Sequence, residues 1–195
     1  EGSPAAAFRS EIELPLPDGS FGRFAVVESP IMAPELQARY PEIRTYGGTG
    51  VDDPSATVRF DLTPAGFHAF ILSAGGTIYI DPIQPGNDRH YQSYYKRDLR
   101  SDKVFGGCTV VDEDGMAAEI QRLVAAGLQG SGGQLRTYRT AVAATGEYTT
   151  FHGGTVAKGL AAVVTSMNRV DAVYEKELSI RMVLVANNNL IIYTN

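Results

Sequence analysis

Short alternations of apolar and polar residues fill the first half of the chain, whereas one long helical periodicity dominates its end. Ile12 and Leu14 alternate with Glu11 and Glu13, which predicts a half-buried strand ended by Pro15 and Pro17. Asp18-Gly19 supplies a turn, and Phe21 to Val26 returns as the second arm of a hairpin. A short helix is expected from Ala33 to Arg39, after Pro30 and before Pro41. Strands follow at Ile43–Tyr46, Ala56–Leu62, Gly66–Leu72 and Thr77–Ile80, with turns expected at Gly47-Gly48, Thr63-Pro64 and Gly75-Gly76. From Gln84 to Gly107 the chain turns polar and tyrosine-rich. Met116, Ile120, Leu123 and Val124 then share one helical face that ends at Gly127.

Four glycines in Gly127–Gly133 cannot form the interior of a regular element, so this segment reads as a connector and as the expected site of processing. Beyond it, Leu135 to Ala144 reads as a strand. Val156, Leu160, Val163, Val164, Met167, Val170, Tyr174 and Leu178 then recur every three to four residues. They predict a helix of roughly 24 residues, against a usual ~11–12. Ile180–Val185 and Leu190–Tyr193 are β-rich. The fold class is therefore α+β: a β-rich part over residues 1–133, then strand, long helix and strands over 134–195, a βαβ unit or the first strands of a mixed sheet. A single helix covers only one sheet face, so this last sheet reads as incomplete and open to self-association.

Charge sharpens the division. The 195 residues carry a net −5, but residues 1–133 hold 11 basic against 18 acidic side chains and residues 134–195 hold 6 against 4. No clustered positive charge suggests nucleic acid, and no apolar run approaches the ~20 residues of a membrane span. Glu1-Gly2-Ser3-Pro4 lacks the regions of a signal peptide, which leaves a processed N-terminus or a shortened chain. Cys108 is the single cysteine, and His68, His90 and His152 lack the i, i+4 spacing of a zinc pair. There is no nucleophile elbow, Walker loop or dinucleotide fingerprint. These residues predict a chain with no catalysis or metal of its own.

The run from Asn168 to Val185 resembles the first long helix and following strand of secreted reprolysin-like zinc metallopeptidases of the metzincin group, in the form N-x-V-x-x-[IV]-Y-x-K-[ED]-L-x-I-x-[ML]-x-L-V. Arg139–Tyr148 resembles the first catalytic-domain strand, and Asn188–Thr194 the strand that follows. Upstream, Ser29–Leu36, Tyr40–Tyr46 and Phe60–Thr63 are more loosely similar to the large pro-region of bacterial members. The resemblance implies a pro-region (1–133) followed by the opening of a catalytic domain (134–195) with an incomplete zincin-type sheet. It implies secretion, zinc in the full-length parent, and the remainder of the catalytic domain as partner. The family's H-E-x-x-H-x-x-G-x-x-H motif does not occur in this sequence, so no catalytic residue carries over.

Cys108, after Phe105-Gly106-Gly107, is the candidate metal ligand: a thiolate on a pro-region loop can occupy the open position of zinc held elsewhere. A buried core thiol is the alternative. Asp112-Glu113-Asp114 reads as a helix cap rather than a calcium loop, and Asp52-Asp53 as a turn. His152-Gly153-Gly154 and Gly154–Gly159 with Lys158 read as a loop entering a helix capped by Thr155, rather than an oxyanion hole or phosphate loop. Tyr91, Tyr94 and Tyr95 with Arg89, Lys96, Arg97 and Arg100 form an aromatic–basic cluster, either a partner surface or a solvated loop over a core. The leading expectation is a zymogen fragment whose pro-region inhibits and assists folding; the rival is a non-catalytic extracellular binding or scaffold module.

Overall fold

A computed structural model describes residues 10–84, 86–87, 89–99 and 134–195. Seven strands form one antiparallel meander in chain order: β1 (Ser10–Pro15), β2 (Phe21–Glu28), β3 (Arg44–Gly50), β4 (Thr57–Thr63), β5 (Gly66–Ser73), β6 (Gly76–Pro82) and β7 (Tyr91–Tyr95). A short helix, α1 (Pro34–Arg39), lies between β2 and β3. The second part contains β8 (Arg136–Thr140), α2 (Gly146–Phe151), α3 (Val156–Leu178) and β9 (Ile180–Leu184). β8 and β9 pair in parallel, joined by the helical crossover that the strand–helix–strand pattern predicts. The architecture is α+β with a β-rich N-terminal part.

Alternation along the meander sorts its two faces. Leu14, Phe24, Val26, Val58, Phe60, Ala69, Ile71, Ile78 and Ile80 form one buried cluster, with Tyr91 and Tyr95 packed against it. Residues of β1 and β2 share this core with residues of β6 and β7, so the sheet curls over its own apolar face. Tyr46 stacks on Phe60 at a centroid distance of 4.7 Å. The opposite face carries Arg59 and Asp61 of β4, flanked in register by Gly47 and Thr45 on β3 and by Phe70 and His68 on β5. This polar face meets α3.

A second core lies along the first half of α3. Ile31, Met32, Leu36 and Ile43 from the N-terminal part pack with Ala144, Leu160, Ala161, Val163, Val164, Leu184 and Ile192. Ile31, Leu36 and Ile43 are fully buried, a stabilisation of roughly 1.5–3 kcal/mol for each aliphatic side chain. The backbone joins in: Leu184 N–H donates to Ile31 O at 2.8 Å, and Ala33 N–H to Leu184 O at 2.9 Å. Met32 thus bridges Leu184 in parallel and adds a third, one-residue rung beside β9.

Three local expectations are corrected. Gly47-Gly48 lies inside β3 instead of forming a turn, because the curled sheet presses β2 against it. A Cβ at Gly48 would sit 2.6 Å from Ala25 O and 2.6 Å from Val26 Cγ1. The tyrosine-rich stretch includes a strand, β7, whose Tyr91 and Tyr95 complete the curled core. Leu190–Tyr193 is not a strand. Asn188–Ile191 forms a 3-10 turn, held where the Asn188 amide exchanges hydrogen bonds with Val142 backbone groups at 2.8 and 3.1 Å. The helix capped by Thr155 is as expected: its Oγ1 accepts from Lys158 N–H, and α3 runs 23 residues.

Gly48→Ala should lower stability by about 1–3 kcal/mol, because the added methyl meets backbone that cannot step aside. Gly75→Ala, where the nearest non-neighbouring atom is a serine hydroxyl at 3.7 Å, should change it by less than about 0.5 kcal/mol. Urea denaturation of the two variants tests this; equal losses would show that β3 has room to adjust.

Candidate functional site

The most concentrated chemistry in the described residues lies along the seam between β4 and α3. Strand alternation puts Arg59 and Asp61 on the same face, and helical periodicity puts Asn168, Asp171, Ala172 and Glu175 on the face of α3 that meets it. Arg59 is 4% exposed. Its Nη1 donates to Asn168 Oδ1 at 2.8 Å, and its Nη2 to Glu175 Oε1 at 2.6 Å and Ser29 Oγ at 3.0 Å. A buried guanidinium with its donors engaged is tolerated where the same charge left unpaired would not be. Glu175 also pairs with Arg181, the second residue of β9.

Two further nodes extend the seam. Asp61, 1% exposed, accepts from Thr165 Oγ1 at 2.8 Å and lies 3.2 Å from His68 Nδ1. Asp81 on β6 pairs with Arg169 of α3 and accepts from the Tyr94 hydroxyl at 2.7 Å. The Arg169 guanidinium also lies 5.0 Å from the centre of the Tyr79 ring. Each node joins the sheet to the helix.

Electrostatics differ sharply between neighbouring carboxyls. Burial opposes ionisation of Glu175, but hydrogen bonds and charge from Arg181 and Arg59 outweigh it and hold the group below the usual range. Asp171 is fully buried, and desolvation raises it to about 6 despite the hydrogen bond it accepts from Met182 N–H at 2.9 Å. Its Oδ2 has no hydrogen-bond partner among the described residues. Burial, then the hydrogen bond to Asp81, pushes the Tyr94 hydroxyl well above the ordinary phenol value.

Beside this seam opens a cleft of about 400 Å³, lined among others by Ser29, Gly47, Arg59, Glu175, Lys176 and Arg181. Arg59 and Arg181 are ion-paired to Glu175 there, and Lys176 Nζ donates to Ser55 O at 3.2 Å, an arrangement suited to joining two elements and not to activating a nucleophile. Among the described residues, no three His, Cys, Asp or Glu side chains cluster closely enough to hold a metal ion.

The sequence-derived candidates are scattered. Cys108, the acidic run Asp112–Asp114, the helix from Met116 to Gly127 and the glycine segment 127–133 lie outside the described residues, as does Arg100. His68 belongs to the seam. His90 is exposed at a turn, where its backbone N–H donates to Asn87 Oδ1 at 2.9 Å. His152 packs against Tyr148 and Phe151, and burial lowers its pKa. Gly153 and Gly154 adopt φ of 105° and 76°, the left-handed turn that leads into α3. Asp53 makes the expected turn by accepting from Ser55, and Asp52 pairs with Arg23. Within the aromatic–basic cluster, Tyr94 joins the seam and Arg97 lies 4.0 Å over the Tyr95 ring.

The strand–helix–strand segment behind this seam can be compared with known families. Residues 134–195 match the family model of the reprolysin-like metallo-peptidases, family M12B. This part of the chain is similar to that family. The match spans β8, α2, α3, β9 and the 3-10 turn, and relates the chain to a family that is zinc-dependent in general and typically extracellular. No curated protein matches the chain. Among the described residues, no helix is long and apolar enough to cross a membrane. Asn168, within the matched residues, takes the Arg59 hydrogen bond from the N-terminal sheet. Arg59 and Asp61 escaped notice in the sequence because an alternating strand reads equally well with its polar face in water.

The two carboxyls predict opposite pH behaviour. Glu175, held low in the fold, contributes stability above its unfolded value of 4.5, and this is lost as pH falls through its folded pKa. Asp171 does the reverse: its contribution is full below the unfolded 3.8 and is lost as pH rises through about 6. Asp171→Asn should therefore flatten the decline between those values and gain about 2–3 kcal/mol at pH 7 relative to pH 3. Arg59→Ala should cost about 3–5 kcal/mol at pH 7, because buried Asn168 Oδ1 loses its donor and Glu175 keeps only Arg181. Chemical denaturation across pH measures both; an unchanged slope in Asp171→Asn would contradict the assignment.

Proposed function

We propose that this chain is the N-terminal portion of a secreted zinc metalloendopeptidase zymogen. Residues 1–133 are its pro-region, and residues 134–195 open the catalytic domain. The observation that carries the reading is the reprolysin-like match over residues 134–195. The parallel βαβ unit formed there, with α3 as its crossover, agrees with it. The pro-region acts as inhibitor and folding aid: it packs its polar sheet face on α3 and lends Ile31, Leu36 and Ile43 to the core beneath that helix.

In this reading the zincin-type sheet is completed by strands from the remainder of the catalytic domain. The outer edge of β8 supports such an addition. Arg136 N–H donates to Ser179 O, and Val185 N–H donates to Thr140 O. The backbone groups of Thr137 and Arg139 therefore point away from β9, toward an edge without a ladder partner among the described residues. Tyr138 is half exposed beside them. The zinc-binding H-E-x-x-H does not occur in the 195 residues, so zinc would be held by the remainder, with Cys108 as the candidate thiol that keeps it latent.

Sequencing the transcript beyond the codon for Asn195 tests the proposal first. H-E-x-x-H should follow, and the full-length protein should bind one zinc per chain by metal analysis and cleave casein only after its pro-region is cut. In that protein, Cys108→Ser should raise peptidase activity before processing if the thiol is the latency ligand. Absence of the motif would overturn the zymogen reading and leave the non-catalytic extracellular module.

A further inference from the structure

We infer that the N-terminal sheet and the reprolysin-like part remain one non-covalent complex after the chain is cut between them, so a cut in the glycine segment 127–133 does not by itself separate the two. The association rests on geometry alone; its consequence for latency rests on the proposed function. Three independent holds cross from residues 10–99 to residues 134–195.

The first hold is apolar. Ile31, Leu36 and Ile43 are buried among Leu160, Val164, Leu184 and Ile192. Removing the N-terminal part would expose this core on both pieces, which is the signature of a permanent interface and not a transient one. The second is backbone pairing at Ile31–Ala33, where two hydrogen bonds close one edge of β9. Dissociation would leave that edge open as well. The third is the seam, in which Arg59, Asp61 and Asp81 each bond a side chain of α3. Apolar burial supplies the affinity, and the buried charge pairs slow escape, because truncating one partner of such a pair chiefly raises the dissociation rate.

A tether raises the effective concentration of its two ends, and cutting it converts their contact into an ordinary bimolecular one. With an apolar core and a desolvated charge cluster in the same interface, that bimolecular affinity is high. Activation of a peptidase built this way therefore takes two events: a cut in the connector, and a second step that opens the seam or cleaves within residues 10–99.

The test uses the full chain with residues 127–133 replaced by the recognition sequence of a site-specific protease. After complete cleavage, gel filtration at neutral pH should still give one peak containing both pieces at about 1 µM protein. The cut Arg59→Ala chain should dissociate at least about tenfold faster, while the uncut variant elutes unchanged. Asp81→Asn, which removes a less buried node, serves the same purpose if Arg59→Ala does not fold. Two separate peaks from the cut parent chain would overturn the inference. So would an unchanged dissociation rate in both variants, because the seam would then not be what holds the pieces. Neither outcome depends on whether the parent is a peptidase.

Discussion

A guanidinium buried to 4% exposure sets the terms for the structure around it. Once Arg59 faces away from the curled core, water cannot solvate it, and its donors need acceptors from whatever covers that face. Ser29 supplies one from the sheet side, and Asn168 and Glu175 supply the others from α3. Glu175 in turn needs Arg181 on β9. That one charge thus ties the meander to α3 and, through Glu175, to the start of the following strand. Replacing a buried charge cluster by well-packed apolar side chains is often neutral or stabilising, whereas removing one partner is costly.

The first half of the same helix faces a second constraint. Its apolar stripe, Leu160, Val163 and Val164, is covered by residues 31–43 as well as by β9. α3 is therefore held by an apolar core along its first half and by a charged sheet face further along, each partly built by the N-terminal residues. For a segment that matches a zinc-dependent peptidase family, this places the N-terminal part on the helix that joins the first two strands of that segment.

Much of this architecture was legible from residue order. The alternation at Ile12–Leu14 and the Asp18-Gly19 turn give β1 and β2, and the 3-to-4-residue recurrence from Val156 to Leu178 gives α3 at its observed length. Local rules failed where tertiary contacts override them. Gly47-Gly48 resembles a turn by composition, yet it serves close packing against Ala25 and Val26. Leu190–Tyr193 has strand composition, but the Asn188 side chain occupies the backbone groups of Val142, and only Ile192 bridges back to Ala144. The seam was the least legible feature. Asn168, Asp171 and Glu175, spaced by three and four residues, did mark a polar stripe, but solvent is the usual occupant opposite such a stripe.

The central claim is that the sheet, α3 and β9 open together as one unit although they belong to two parts of the chain. Native-state hydrogen exchange as a function of low denaturant measures this directly, because each amide reports the free energy of the opening that exposes it. Amides in the middle of β4, in α3 from Leu160 to Ala172, and at Ala33 and Leu184 should converge on one opening free energy, equal to that of global unfolding. Exchange of α3, Ala33 and Leu184 through a lower-energy opening, with β4 and β5 still protected, would contradict the claim and make the reprolysin-like part a separately unfolding unit.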